Sequence, residues 1–334
     1  MCSSVYLVLH ATDMPSTCFA AFVYALFLQQ CAFVGHDTAH NGITHDRTTD
    51  IMIGIVVGPL LTGISTSWWK RSHNAHHVVT NSVEYDPDIQ HMPVFAITDN
   101  LFSKGGTYSK YHDRFFHFDA AAKFLISYQH YLFYPIMAFA RWNLYVQSWL
   151  LLLDFNKVVD MRAVEMAAMV FYPCSVATLV SHLPSAGLVA TFLVLSHMLA
   201  GILHVQICIS HFAMPTYSGA SFAAAPVGEH FLRQQLHTSM DLDSCWYNNW
   251  FYGGLQWQVV HHIFPRVPRH NLPIVKQQLQ TLCEKHGLVY KSVGWWAGNL
   301  EIVRVLYETA MKARKATVVS FADSMIWQAM QAEG

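Results

Sequence analysis

The sequence predicts an all-α, polytopic membrane protein with a helical cap outside the bilayer. Three observations carry that reading: long uncharged apolar stretches, a shortage of charge, and histidines gathered where the apolar stretches end. Hydrophobic residues make up 53% of the 334-residue chain and charged residues only 12%, about half the charged share of an ordinary soluble domain. From Met14 to His36 there is no charged residue, and at about 1.5 Å per helical residue that length crosses a bilayer core of about 30 Å. A span is therefore expected at about 15–35. Met166 to Gly228 is also uncharged, long enough for two spans of about 20 residues each. The turn signal S-H-L-P-S-A-G at Ser181 to Gly187 divides it, which places these spans at about 164–181 and 187–208.

The apolar run from Ile51 to Trp69 contains Gly54, Gly58, Pro59 and Gly63, all poor inside a helix. A full crossing there would also put the first two histidine clusters on opposite sides of the membrane. It is expected to be interfacial or re-entrant. Residues 115–153, rich in aromatics but broken by Lys123, Pro135 and Arg141, are expected as helices lying at the membrane surface. Residues from about 209 to 334 are polar enough to form a cytosolic cap, and the whole is read as a single membrane domain.

Lys and Arg support this topology. None occurs before Arg47 and none between Arg162 and Arg233, while ten fall from Arg47 to Arg162 and ten from Arg233 onward. By the positive-inside rule the histidine clusters face the cytosol. A net charge of −1 gives no sign of a nucleic-acid partner. The seven cysteines are scattered, with no C-x-x-C pair, so neither a zinc ribbon, an iron–sulfur site nor a disulfide framework is indicated.

Histidine is the outlier, equal in number to the acids at 21. His36 and His40 stand four apart at the end of the first span, a spacing that puts both rings on one helix face, able to hold one metal. His73, His76 and His77 share a face in the same way. His261 and His262 follow Gln258, which stands where a further histidine would repeat the second spacing. Seven imidazoles and one amide exceed the four ligands of a structural zinc. Imidazole alone does not fix the metal, but two irons sharing nitrogen-rich ligands match the count best. A lone histidine on an apolar helix is usually a packing or capping residue; three clusters on one expected membrane side are not explained that way.

The last span carries His197, His204 and His211. His204 and His211, about two turns apart, share a stripe. His211, at its cytosolic end, is the choice for an additional ligand, with His204 the second candidate and His197 structural. Asp37, Asn74 and either Asp86 or Asp88 are candidates for orienting the ligands from behind. Trp68 and Trp69 read as an interfacial aromatic belt rather than a substrate channel.

G-H-D-T-A-H, S-W-W-K-R-S-H-N-A-H-H and W-F-Y-G-G-L-Q-W-Q-V-V-H-H-I-F-P-R-V-P-R-H-N-L resemble the front-end membrane desaturases, in which Gln opens the third box. Within that family, G-I-T-H, D-P-D-I-Q-H-M-P-V-F-A, Y-P-I-M-A-F-A-R-W-N-L-Y and T-S-M-D-L-D look most like the fungal-type delta-8 sphingolipid desaturases. Val260 stands where acyl front-end enzymes usually have an acid. The resemblance implies O2-dependent insertion of a double bond into a sphingolipid long-chain base at the endoplasmic reticulum membrane, with the active site cytosolic. It implies two Fe ions held by His36, His40, His73, His76, His77, Gln258, His261 and His262, with His211 added. Electrons would come from NADH through its reductase and cytochrome b5, which Arg266, Arg269 and Lys276 could attract. The alternatives are an acyl-lipid or acyl-CoA front-end fatty-acid desaturase sharing every ligand, or an inactive truncated relative; a hydroxylase or a metal transporter fits less well. One departure stands out: the family's fused cytochrome b5 domain with H-P-G-G is missing and one span, not two, precedes His36. Val5 to Leu9 reads as the remnant of a span, and a lost start is the favoured explanation over reliance on a free cytochrome b5.

Overall fold

The computed structural model describes residues 1–220 and 229–324. In chain order the helices are α1 (Cys2–Leu9), α2 (Met14–Ala39), α3 (Arg47–Ile55), α4 (Thr66–Val79), α5 (Ala120–Ser127), α6 (Gln129–Leu153) and α7 (Arg162–Val180). They continue as α8 (Ala186–Ala200), α9 (Ile202–Cys208), α10 (Glu229–Thr238), α11 (Asn249–Tyr252), α12 (Gln258–Ile263), α13 (Leu272–Lys285) and α14 (Trp295–Lys315). Strands are few: β1 (Gly106–Ser109) pairs antiparallel with β2 (Arg114–His117), and β3 (Asp241–Leu242) pairs parallel with β4 (Ser292–Val293). The described residues are mostly helical, as the sequence predicts.

Two compact units divide the chain. The first takes Met1–Arg71, Pro135–Val205 and Arg266–Arg269; the second takes Ser72–Tyr134, Gln206–Pro265 and His270–Gly334.

Among the described residues the helices with the length and apolar character to cross a bilayer are Met14–Ala39, Arg162–Val180, and the consecutive α8 and α9 taken together as Ala186–Cys208; all lie in the first unit except Gln206 to Cys208. Asp13 starts α2 as a reciprocal cap, accepting from Ser16 N at 2.9 Å, which satisfies donors that a helix start leaves open. Small residues on α2 let it pack closely on α8, with Ala20, Ala21, Tyr24, Leu28 and Phe192 in one buried cluster. The glycine-rich run 51–69 does not form one helix. It splits into α3, a π-helical turn at Val56–Leu60 containing Pro59, and the start of α4. Gly63 makes the break, with φ at +71° and a site where a Cβ would lie 2.4 Å from the Tyr172 ring, so only glycine fits it.

The start of α4 is held by a neighbour. Glu165, buried in the first turn of α7, accepts from Ser65 Oγ at 2.5 Å, from Ser67 Oγ at 2.6 Å and from Ser67 N at 3.2 Å. A carboxylate at the open N–H end of a helix is favourable by charge and by hydrogen bonding.

The second unit has its own aromatic core, in which Phe102, Phe116, Phe118 and Ile126 pack with Ala313 of α14. Asp119 caps α5 through Ala122 N at 2.9 Å. The β3–β4 pair joins the segment after α10 to the segment before α14.

Candidate metal centre

Of the nine candidate ligands, His36 and His40 lie in the first unit and the other seven in the second. On α2, the four-residue spacing brings the His36 and His40 rings to 4.9 Å between centroids. Trp69 packs against both, at 5.2 and 6.2 Å. Trp69, expected in an interfacial aromatic belt, thereby forms a wall of the first histidine pair. Asp37 stands behind His36, its Oδ1 3.2 Å from Nδ1, while its Oδ2 accepts from Arg269 Nε at 2.6 Å.

In the second unit six histidines form two adjacent buried groups. His76, His211 and His262 each offer a nitrogen within 4.8 Å of the others, and so do His73, His77 and His261. The rings of the first trio stand 4.6 to 4.9 Å apart. Between the groups, His77 and His262 stack at 4.1 Å. The second histidine box is thus shared. His73 and His77, one turn apart, go to one group and His76 to the other, while adjacent His261 and His262, about 100° apart around α12, divide in the same way.

Hydrogen bonds set the tautomers of the first trio. His76 Nδ1 faces the Asp86 carboxylate at 2.9 and 3.0 Å. His211 Nδ1 faces the Thr238 carbonyl at 3.2 Å. His262 Nδ1 lies 3.0 Å from Gln235 Oε1, and Gln235 is fixed because its amide nitrogen donates to the His77 carbonyl at 2.8 Å. All three partners accept, so each Nδ1 carries a proton; the neutral rings of His211 and His262 present Nε2 as a lone pair, and His76 would present its Nε2 on giving up the second proton to a metal. Nε2 of His211 and of His262 is buried and makes no hydrogen bond, and neither does Gln258 Oε1. Buried polar atoms are nearly always satisfied; three inward-facing acceptors left open beside clustered imidazoles fit a transition-metal site.

Charge divides the trio. Burial, and next the charge of His76, hold His211 well below the usual histidine value. Burial and the surrounding imidazoles, His77 first among them, do the same to His262, so both are in the ligating form. For His76 burial works downward, but Asp86 and Asp88 outweigh it and leave the ring at about 9.

Other expected residues resolve differently. His197 is structural, stacked on Trp142 at 5.1 Å and 3.0 Å from the Tyr145 hydroxyl. His204 is buried with Nδ1 3.3 Å from the Gly201 carbonyl and belongs to neither histidine group. Asn74 is exposed, whereas Asp37 and Asp86 both stand behind a box histidine. Two of the three cations expected to attract cytochrome b5 are spent internally: Arg269 on Asp37 and Lys276 on Asp241 at 3.0 Å. Only Arg266 of the three is exposed. Sequence reasoning missed Gln235, which nothing in its local sequence marks, and gave no role to Asp241, although Asp241 lies in the family-like motif T-S-M-D-L-D.

A profile of the family described as fatty acid desaturase matches residues 15–294. The chain belongs to the fatty acid desaturase family. By that membership the desaturase is a membrane oxidoreductase. It is 38% identical over 330 residues to the Delta(8)-fatty-acid desaturase 2 of Arabidopsis thaliana, covering 99% of this chain and 72% of the relative. It is 40% identical over 302 residues to the Delta 8-(E)-sphingolipid desaturase of Emericella nidulans, covering 88% of this chain and 54% of the relative. The Kluyveromyces lactis protein of the same name is 39% identical over 312 residues, 91% of this chain and 53% of the relative. The desaturase spans about half the length of these fungal relatives.

Proposed function

We propose that the desaturase uses O2 and two irons to introduce a delta-8 double bond into the long-chain base of a sphingolipid. The observation that carries the chemistry is the pair of adjacent, buried histidine groups with three tautomers set toward Nε2. His76, His211 and His262 would hold one iron. His73, His77 and His261 would hold the other, Gln258 would present its amide oxygen to the centre, and the family resemblance adds His36 and His40 to the ligand set. The irons would supply the oxidant for an unactivated C–H bond, which no side chain can supply.

The protein's own work is positioning. Asp86, the Thr238 carbonyl and Gln235 hold the three Nδ1 atoms and so aim each Nε2 at the metal, and burial excludes water. Electrons would arrive from NADH through cytochrome b5 on the cytosolic side of the endoplasmic reticulum membrane.

The printed names of the fungal relatives and Val260 at the third box favour a sphingoid base. The plant relative's name favours a fatty-acyl chain, which is the second reading. Expression in a host lacking the activity, followed by mass spectrometry of sphingoid bases and total fatty acids, separates them. A delta-8 base supports the first; a new unsaturated fatty acid with unchanged bases supports the second.

A further inference from the structure

Of the family-like motifs in the sequence, T-S-M-D-L-D at Thr238 to Asp243 is one to which ligation gives no task. We infer that this segment positions the His76, His211 and His262 group, with Asp241 as the residue that holds the helix of the third box in place. The inference rests on the two-iron reading above.

The segment meets the group at two points. Its first residue, Thr238, accepts from His211 Nδ1 through its carbonyl, and Met240 N donates to the Ser210 carbonyl at 3.0 Å, so His211 is tied to it on both sides. Three residues after Thr238, Asp241 Oδ1 accepts from Val259 N at 3.0 Å. Val259 is the second residue of α12, whose own N-cap residue, Trp257, provides no side-chain acceptor. A helix of six residues is far below the length that sustains itself, and its first N–H groups need outside partners. Asp241 supplies one, on the helix that carries Gln258, His261 and His262.

Asp241 itself has no freedom to turn. It is completely buried, and its Oδ2 receives the Tyr290 hydroxyl at 2.5 Å and Lys276 Nζ at 3.0 Å. Its backbone is fixed in the β3–β4 ladder, with Asp241 N donating to the Lys291 carbonyl at 3.0 Å and Asp243 N to the Val293 carbonyl at 2.8 Å. A buried ion pair adds little net stability over a well-packed apolar pair. What this one provides is a fixed direction for Oδ1.

The test compares two double variants of the full chain, loaded with iron in detergent and challenged with a chelator. Asp241→Asn with Lys276→Met keeps an acceptor oxygen for Val259 N and removes the charge imbalance. Asp241→Leu with Lys276→Met removes the imbalance and the acceptor together. The expected result is iron retention near the parent in the first and about 10- to 100-fold weaker in the second, with an altered iron spectrum in the second at equal thermal stability. Parent-like retention and spectrum in the leucine variant would overturn the inference while leaving the two-iron reading intact; a parent that binds no iron would overturn that reading instead. If the leucine variant does not accumulate, Tyr290→Phe, which removes one anchor of Asp241, takes its place. Faster iron release supports the inference, and a parent-like rate counts against it.

Discussion

Nδ1 of His76 lies 2.9 Å from Oδ2 of Asp86, and both side chains are sealed from solvent, at 1% and 0% exposed. Asp86 is itself fixed by backbone donors, Asn81 N at 2.7 Å and Asp88 N at 2.9 Å. The carboxylate therefore cannot follow the ring if the ring moves. Asp86→Asn leaves the volume unchanged but can offer an N–H where the ring needs an acceptor. Iron per chain, measured by atomic emission on purified protein, should show affinity lower by about 10- to 100-fold. Parent-like iron content would remove Asp86 from the site.

His76→Ala and His261→Ala each take a nitrogen from a different one of the two groups. Both variants are expected to lose desaturation while inserting normally, because neither residue lies in a helix long and apolar enough to span. Product analysis beside a membrane-fractionation blot checks this. Full turnover in either variant would end its assignment as a ligand.

Gln258 Oε1 is buried without a hydrogen bond, a costly state for a bystander amide. Gln258→Ala should be nearly inactive and Gln258→His partly active at most, since imidazole is a stronger and bulkier donor than an amide oxygen. An alanine variant that turns over like the parent reduces the third box to His261 and His262.

Glu165→Ala strips the acceptor from Ser65, Ser67 and the start of α4. Leaving buried donors open costs about 1–3 kcal/mol, so the thermal unfolding midpoint in detergent should fall by several degrees. An unchanged midpoint would show that water replaces the carboxylate there.

Arg266 is exposed while Arg269 and Lys276 are held in ion pairs. Arg266→Glu should therefore raise the cytochrome b5 concentration needed for half-maximal turnover, more at low salt than at high salt. Lys276→Gln should instead act through Asp241 and be insensitive to salt. Equal salt dependence in the two variants would contradict this division.

The sequence by itself determined the membrane character, the mostly helical fold, the family and the clustering of the histidines. Each of these is written locally: a span needs only an uncharged run of sufficient length, and a box needs only side chains three or four residues apart on one helix. The break in the run 51–69 was legible for the same reason, because glycine and proline act on their own stretch of backbone. What local spacing could not say is how a box divides. His73, His76 and His77 share a helix face, yet the tertiary structure sends His76 toward His211 and His262, and that depends on where α9, α10 and α12 lie. Nor could sequence assign roles to Gln235 and Asp241, which act on α12 from 27 and 18 positions earlier in the chain, Gln235 through His262 and Asp241 through Val259 N. A hydrogen bond is directional and short, so whether a buried amide or carboxylate meets its partner is decided only when the chain has closed around both.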